Sequence, residues 1–166
     1  MKKYCLLITL LGYYLTNAQI VTITNNNLKQ ALLNHNPVID INSDGEIQVS
    51  EALNTTALTI TYGPIGTNYT GLEAFVNLTS LQMNNVSLFS IDLSSFTSLQ
   101  HFACKDNHLT SLNLAGLTNL QTLDCTNNDI TSINVSGLNN LTSLTFTDNF
   151  PLTSFIHSGL PNLTTL

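Results

Sequence analysis

Leucine recurs every 21 residues through the second half of the chain, at Leu78, Leu99, Leu120 and Leu141, and the residues between follow the same period. Leu81, Phe102, Leu123 and Leu144 form a second column; Met83, Cys104, Cys125 and Phe146 a third; Leu88, Leu109 and Ile130 a fourth. Ile91, Leu112 and Ile133 follow, then Leu93, Leu114 and Val135. A fixed period of this length means that each segment is one structural unit, unable to cover its apolar face alone. Burying a few side chains per segment does not offset the entropy of ordering about 21 residues. Stability must therefore come from stacking neighbours, with the ends capped.

Within each segment the run L-x-x-L-x-C alternates apolar and polar residues, which predicts one short strand with one face inward. The following T-S-L-N-L-x-G-L stretch keeps apolar residues turned to the interior, and Gly116 and Gly137 suit a turn on the return. The shared phrase L-x-x-L-x-C-x-x-N-x-L-T-S-L-N-L-x-G-L-x-N resembles the leucine-rich repeat, in a short form found in secreted bacterial surface proteins of internalin-like type. The resemblance covers about residues 20 to 166. It implies an α/β leucine-rich repeat solenoid with short parallel strands on a concave face, irregular convex returns and a small helical N-terminal cap. It also implies that Asn107, Asn128 and Asn149, which share a column, satisfy backbone groups at the bend after each strand. Val86 holds that column in the segment from 78, so the ladder is expected to begin one coil later than the strands.

The domain reading is a leader at 1–18, a cap at 19–56 and repeats at 57–166. The coils are 57–77 (degenerate, interrupted by Gly63, Pro64 and Gly66, with Leu58, Ile60, Tyr62, Ile65 and Phe75 near the period), 78–98, 99–119, 120–140, 141–162 and a partial 163–166. Around Pro151 the spacing carries one extra residue, which predicts a local bulge with register restored by Leu163. The last residues stand inside a further L-x-x-L, which implies an open sheet edge and the front of a longer protein.

Lys2 and Lys3 precede an apolar run from Tyr4 to Leu15 and the small-residue end Thr16-Asn17-Ala18, the pattern of a secretory signal peptide cleaved after Ala18. The run is nearer a dozen residues than the about 20 of a membrane span. Only 8% of the chain is charged, and it has no arginine. Cleavage leaves Lys29 and Lys105, two cations against ten carboxylates, hence a formal charge of −8. Nucleic acid and anionic membrane surfaces are excluded as partners on that balance. Cys5 falls in the leader; Cys104 and Cys125, in an apolar column, read as buried thiols rather than a bridge or a metal pair.

One segment carries definite chemistry. Asp40-Ile-Asn42-Ser-Asp44-Gly45-Glu46-Ile47-Gln48-Val-Ser-Glu51 fits the twelve-residue calcium loop of an EF-hand. Asp40, Asn42 and Asp44 supply side-chain oxygens at loop positions one, three and five, and Gly45 permits the sharp turn. Glu46 would offer its backbone carbonyl, Gln48 a contact through water, Ile47 a core anchor and Glu51 a bidentate carboxylate. The competing reading is a polar Asp-Gly turn. A short helix from about Asn27, carrying Leu28, Ala31 and Leu32, is ended by Asn36-Pro37 before the loop. A single loop points to structural Ca2+ in the cap, since conformational sensors pair two.

The resemblance turns the polar strand positions to the concave side. These are Ser80, His101, Thr122 and Ser143; Gln82, Ala103, Asp124 and Thr145; Asn84, Lys105, Thr126 and Thr147; and Asn85, Asp106, Asn127 and Asp148. The candidate binding residues are Gln82, Asn84, His101, Lys105, Asp124, Thr126, Thr145 and Thr147. None is Trp, Tyr or Arg, the residues that dominate protein-binding hot spots. His35, His101, His108 and His157 are scattered, and His101 with Ser143 and Asp124 forms no coherent triad. The sequons at Asn54, Asn68, Asn77, Asn85, Asn134, Asn140 and Asn162 arise partly from the repeat phrase and are discounted as glycosylation signals. The expectation is a secreted or cell-surface, non-enzymatic module for a protein or glycan partner, without membrane insertion of the mature chain. Alternatives are a structural spacer, or an accessory region of a longer secreted protein, including an enzyme with its catalytic domain beyond residue 166.

Overall fold

The computed structural model describes residues 19–61 and 63–166; the leader assigned to 1–18, and Tyr62, lie outside the described residues. Helix α1 (Asn26–Leu33) buries Leu28, Ala31 and Leu32 on one face. Its N-cap is Asn25, whose Oδ1 accepts from the N–H groups of Asn27 at 2.9 Å and Leu28 at 3.2 Å. The same side chain donates through Nδ2 to the carbonyls of Ile65 at 3.0 Å and Asn68 at 2.9 Å. One asparagine thus satisfies a helix end and ties the cap to the first coil. A second short helix, α2 (Val49–Asn54), follows the polar loop.

Parallel strands come next: β1 (Ala57–Ile60), β2 (Ser80–Met83), β3 (His101–Ala103) and β4 (Thr122–Asp124), then β5 (Ser132–Asn134), β6 (Ser143–Thr145) and β7 (Ser154–Ile156). The main sheet runs β1-β2-β3-β4-β6. Leu58, Leu81, Phe102, Leu123 and Leu144 lie opposite one another across it, and each is buried. Strand alternation accounts for this: Leu81 is inside while Ser80 and Gln82 face out.

The offset between neighbouring strands is not constant. Thr79 Oγ1 reaches the carbonyl of Thr56 across 23 residues, whereas Lys105 N reaches Asn84 Oδ1 across 21. The extra residues of the first coil lie in the Gly63–Gly66 stretch, anchored where Ile65 N donates to the Val86 carbonyl at 2.8 Å. Near Pro151 the offset widens to 22, from Thr153 Oγ1 to the Thr131 carbonyl. Thr165 still bridges Ser143 in parallel.

Two of the returns depart from the expected irregular path. β5 and β7 form a second, two-stranded parallel sheet with Ile133 opposite Phe155. Here T-S-I-N and T-S-F-I alternate as strands do, and Ile133 is buried while Ser132 and Asn134 are exposed. In the 99–119 coil the return turns at Leu114–Leu117 with Gly116 at φ 87°, a left-handed position that glycine takes without a Cβ clash.

A continuous core runs from Val21 in the cap to Leu144, and it includes Leu99, Leu120 and Leu141. Behind the strands, the three asparagines of the ladder are buried. Asn128 Nδ2 donates to the carbonyls of Cys104 at 2.9 Å, Cys125 at 3.1 Å and Thr126 at 3.2 Å, and its Oδ1 accepts from Leu109 N at 3.0 Å. Asn107 serves the Val86 and Leu88 N–H groups in the same way, and Asn149 serves Ile130. Cys104 and Cys125 are free and buried. Burial raises both thiols, with the neighbouring thiol and Asp124 adding for Cys104 and Asp124 for Cys125, which reaches about 12. They are therefore protonated at neutral pH. Past the last main strand the core thins: Phe146, Leu152 and Phe155 are only partly buried, and Phe150 is 91% exposed.

Candidate functional site

The polar loop between the two helices is curled by its first carboxylate. Asp40 is buried, and its oxygens accept from Asp44 N at 3.2 Å and Gly45 N at 3.0 Å. Gly45 takes a φ of 81° with open space around the missing Cβ, so the turn needs glycine for its backbone alone. Ile47 is fully buried. The segment beginning at Gln19 lies alongside: Val21 N donates to the Ile47 carbonyl at 2.8 Å and Val49 N to the Gln19 carbonyl at 2.7 Å. This antiparallel pairing gives the lone loop a strand to lean on, a support the sequence reading did not foresee.

The ligand candidates are arranged unevenly. Asn42 Nδ2 donates to Asp44 Oδ2 at 2.9 Å, and Gln48 Nε2 to both Asp44 oxygens at 3.1 and 2.9 Å. Glu46 N adds a bond to Asp44 Oδ1 at 2.9 Å. That backbone bond chiefly, with the two amides and Lys29 assisting against the opposing pull of desolvation, holds the Asp44 carboxyl below its ordinary range. The Glu46 side chain turns to Lys29 Nζ at 2.6 Å, leaving only its backbone carbonyl for the loop. Glu51 is buried and accepts from Ile41 N at 2.8 Å and Gln48 N at 2.9 Å, which also closes a capping box at the start of α2.

Among the described residues no three His, Cys, Asp or Glu side chains converge as a metal cluster. The reason is visible in the bonds: two ligand candidates are amides, Glu46 is diverted to Lys29, and Glu51 faces backbone N–H groups. The donor set is nonetheless one for a hard cation, all oxygen and held on a curled backbone. Each Glu51 oxygen keeps acceptor capacity beyond its single backbone bond.

The second candidate surface is the outward face of the main sheet. Gln82, His101, Asp124 and Thr145 stand on β2, β3, β4 and β6. Asn84, Lys105, Thr126 and Thr147 follow just past the strand ends. His101 Nδ1 lies 3.0 Å from Thr122 Oγ1, Lys105 Nζ 3.8 Å from Asp124 Oδ2, and Thr126 Oγ1 3.5 Å from Thr147 Oγ1. The column of Asn85, Asp106, Asn127 and Asp148 is placed differently from the expectation. All four adopt left-handed backbone, with φ of 54° to 57°, so they sit on the bend rather than the strand face. Asn and Asp tolerate that conformation better than other side chains. His35, unassigned from sequence, is a buried clamp: Nδ1 bonds the Pro37 carbonyl at 2.8 Å and Nε2 accepts from Thr59 N at 3.0 Å.

No protein-family model matches the chain, and no curated protein does. Solved structures do match. An internalin, InlF from Listeria monocytogenes, superposes with a TM-score of 0.66 at 19% identity, covering 80% of this chain and 43% of that one. The functional domain of InlJ from Listeria monocytogenes, which includes a cysteine ladder, superposes with a TM-score of 0.58 at 26% identity, covering 65% of this chain and 24% of that one. The chain thus spans less than half the length of either. The likeness establishes the fold, a parallel-strand solenoid of the internalin leucine-rich repeat kind.

Proposed function

We propose that this chain is a secreted, non-enzymatic binding module that presents the outward face of its main sheet to a protein or glycan partner. Residues 1–18 serve as its leader, 19–56 as a calcium-loaded cap and 57–166 as the recognition solenoid. The observation that carries the reading is the sheet face itself: parallel strands in register set Gln82, Ala103, Asp124 and Thr145 opposite one another in one row, with His101 in the adjacent row between Ser80 and Thr122. Rigid strands hold such groups with little ordering cost on binding. Among the described residues no helix is long and apolar enough to cross a membrane. The test is binding of the purified chain to a panel of immobilised extracellular proteins and glycans. A Gln82→Arg/Asp124→Arg chain, folded to the same melting temperature, should lose at least tenfold in affinity for the ligand it meets through this face. A wild-type chain that binds no member, or a variant that binds all members equally well, would refute the reading.

In the cap, Asp40, Asn42, Asp44 and Glu51 would hold Ca2+ through side-chain oxygens and Glu46 through its carbonyl, with Gln48 contributing through a water. The ion supplies positive charge that lets clustered carboxylates stay ionised in a folded loop. With calcium about tenfold above a dissociation constant of roughly 10⁻⁴ M, linkage stabilises the fold by about 1.4 kcal/mol. Calorimetry should show a melting temperature about 3–6 °C lower in chelator, and an Asp40→Ala chain should not respond to calcium. Apart from the ion, the loop itself weakens in acid: a carboxyl whose folded-state pKa is lowered, as for Asp44, stabilises above the ordinary carboxylate range and loses that contribution as pH falls through its folded value. A melting temperature indifferent to chelator, without binding heat, would remove the ion from the cap.

A further inference from the structure

The bend beyond the strands forms a groove that the sheet-face reading does not use. One wall is the left-handed column Asn85, Asp106 and Asn127, all exposed. Their N–H groups donate to the Lys105, Thr126 and Thr147 carbonyls of the next coil at 2.9, 3.0 and 2.9 Å, so the backbone beneath these side chains is fixed. Asn127 Nδ2 then donates to Asp106 Oδ1 at 2.8 Å. The other wall is His108 and Asp129, whose Nδ1 and Oδ2 lie 3.6 Å apart. Between them runs a cavity of about 540 Å³. Beside it Phe89, 56% exposed, stacks on the His108 ring with centroids 5.3 Å apart.

We infer that this groove binds an extended, uncharged oligosaccharide, at a surface separate from the sheet face and so beyond the reading above. Vicinal sugar hydroxyls need acceptors beside donors, and the groove alternates amide and carboxylate groups that provide both. The bond from Asn127 uses one of about four acceptor sites on Asp106. Phe89 and His108 offer the flat apolar surface on which the C–H face of a sugar ring rests. Equivalent groups recur with each coil at about 4.8 Å, a step comparable to the advance of an extended sugar chain per residue. The carboxylates of Asp106 and Asp129 repel phosphate- or sulfate-bearing polymers. A protein partner fits less well, because the walls lack the Trp, Tyr and Arg anchors of protein hot spots.

The test is titration calorimetry of the full chain with cellohexaose and with chitohexaose in calcium-containing buffer. Saturable binding to at least one is expected. It should weaken at least tenfold in an Asp106→Gly/Asn127→Gly chain, glycine being chosen because it keeps the left-handed backbone. It should weaken at least tenfold in Phe89→Ala, and stay within twofold in Asp124→Ala/Thr145→Ala on the sheet face. Absence of heat with both sugars would overturn the inference while leaving any panel ligand of the sheet face, and so the module reading, intact. Loss of sugar binding only in the sheet-face variant would overturn the placement. Calcium binding that depends on Asp106, without sugar binding, would make the groove a cation site and overturn the inference as well.

Discussion

An Asn128→Ala chain is expected to melt about 10 °C below the wild type. Asn128 is buried, and its amide links two coils through the Cys104, Cys125 and Thr126 carbonyls and the Leu109 N–H. Two of these carbonyls keep other amide partners, because Asn107 also donates to Cys104 and Asn149 to Cys125. The Leu109 N–H, by contrast, would lose the asparagine oxygen in a site that excludes water. An orphaned buried donor costs about 1–3 kcal/mol, and the lost bonds add to it. A total of roughly 3 kcal/mol is a large share of a domain's usual 5–15 kcal/mol, and at this chain length each kcal/mol lowers the melting temperature by about 2–4 °C. Thermal unfolding followed by circular dichroism reads the shift. A change of only a degree or two would mean that the ladder is ornamental.

The other large effect is expected in the apolar interior. Phe102 is 1% exposed and lies between Leu81 and Leu123 on the neighbouring strands. Truncation to alanine removes a ring that both neighbours pack against and leaves a cavity that rigid flanking coils cannot close, costing about 3–5 kcal/mol. The companion measurement is Phe150→Ala. That ring is 91% exposed, so the same chemical deletion should change stability by no more than about 0.5 kcal/mol. Denaturant unfolding of the two variants side by side tests the contrast, and equal costs would contradict the register of the main sheet.

The sheet was legible because its periodicity is strict: Leu81, Phe102, Leu123 and Leu144 are spaced as the strands are, and each is opposite the next. The cap was legible in part. Leu28, Ala31 and Leu32 announced a helix from about Asn27, and it starts at Asn26, where Asn25 takes the cap position. The bonds of Asn25 to Ile65 and Asn68 reach 40 residues and more along the chain, and no local pattern encodes them. His35 was opaque for the same reason, since its partner Thr59 belongs to a different element. The second sheet was missed because T-S-I-N is too short to stand out from a turn. The left-handed column looked like strand face in the sequence, where the conformation of Asp106 and Asn127 leaves no mark beyond a preference for Asn and Asp.

The hydrogen bonds that stitch the solenoid run mostly from one coil to the next, as from Asp106 to Thr126 and from Asn127 to Thr147. A tensile load applied along the solenoid would therefore act on the coils in series, since among the described residues these bonds join neighbouring turns. The chain would pay out like thread from a spool, each released loop of about 21 residues lengthening it by up to about 70 Å. For a protein exposed to flow or shear, that makes a force buffer: extension is taken up at one end while the turns behind remain wound.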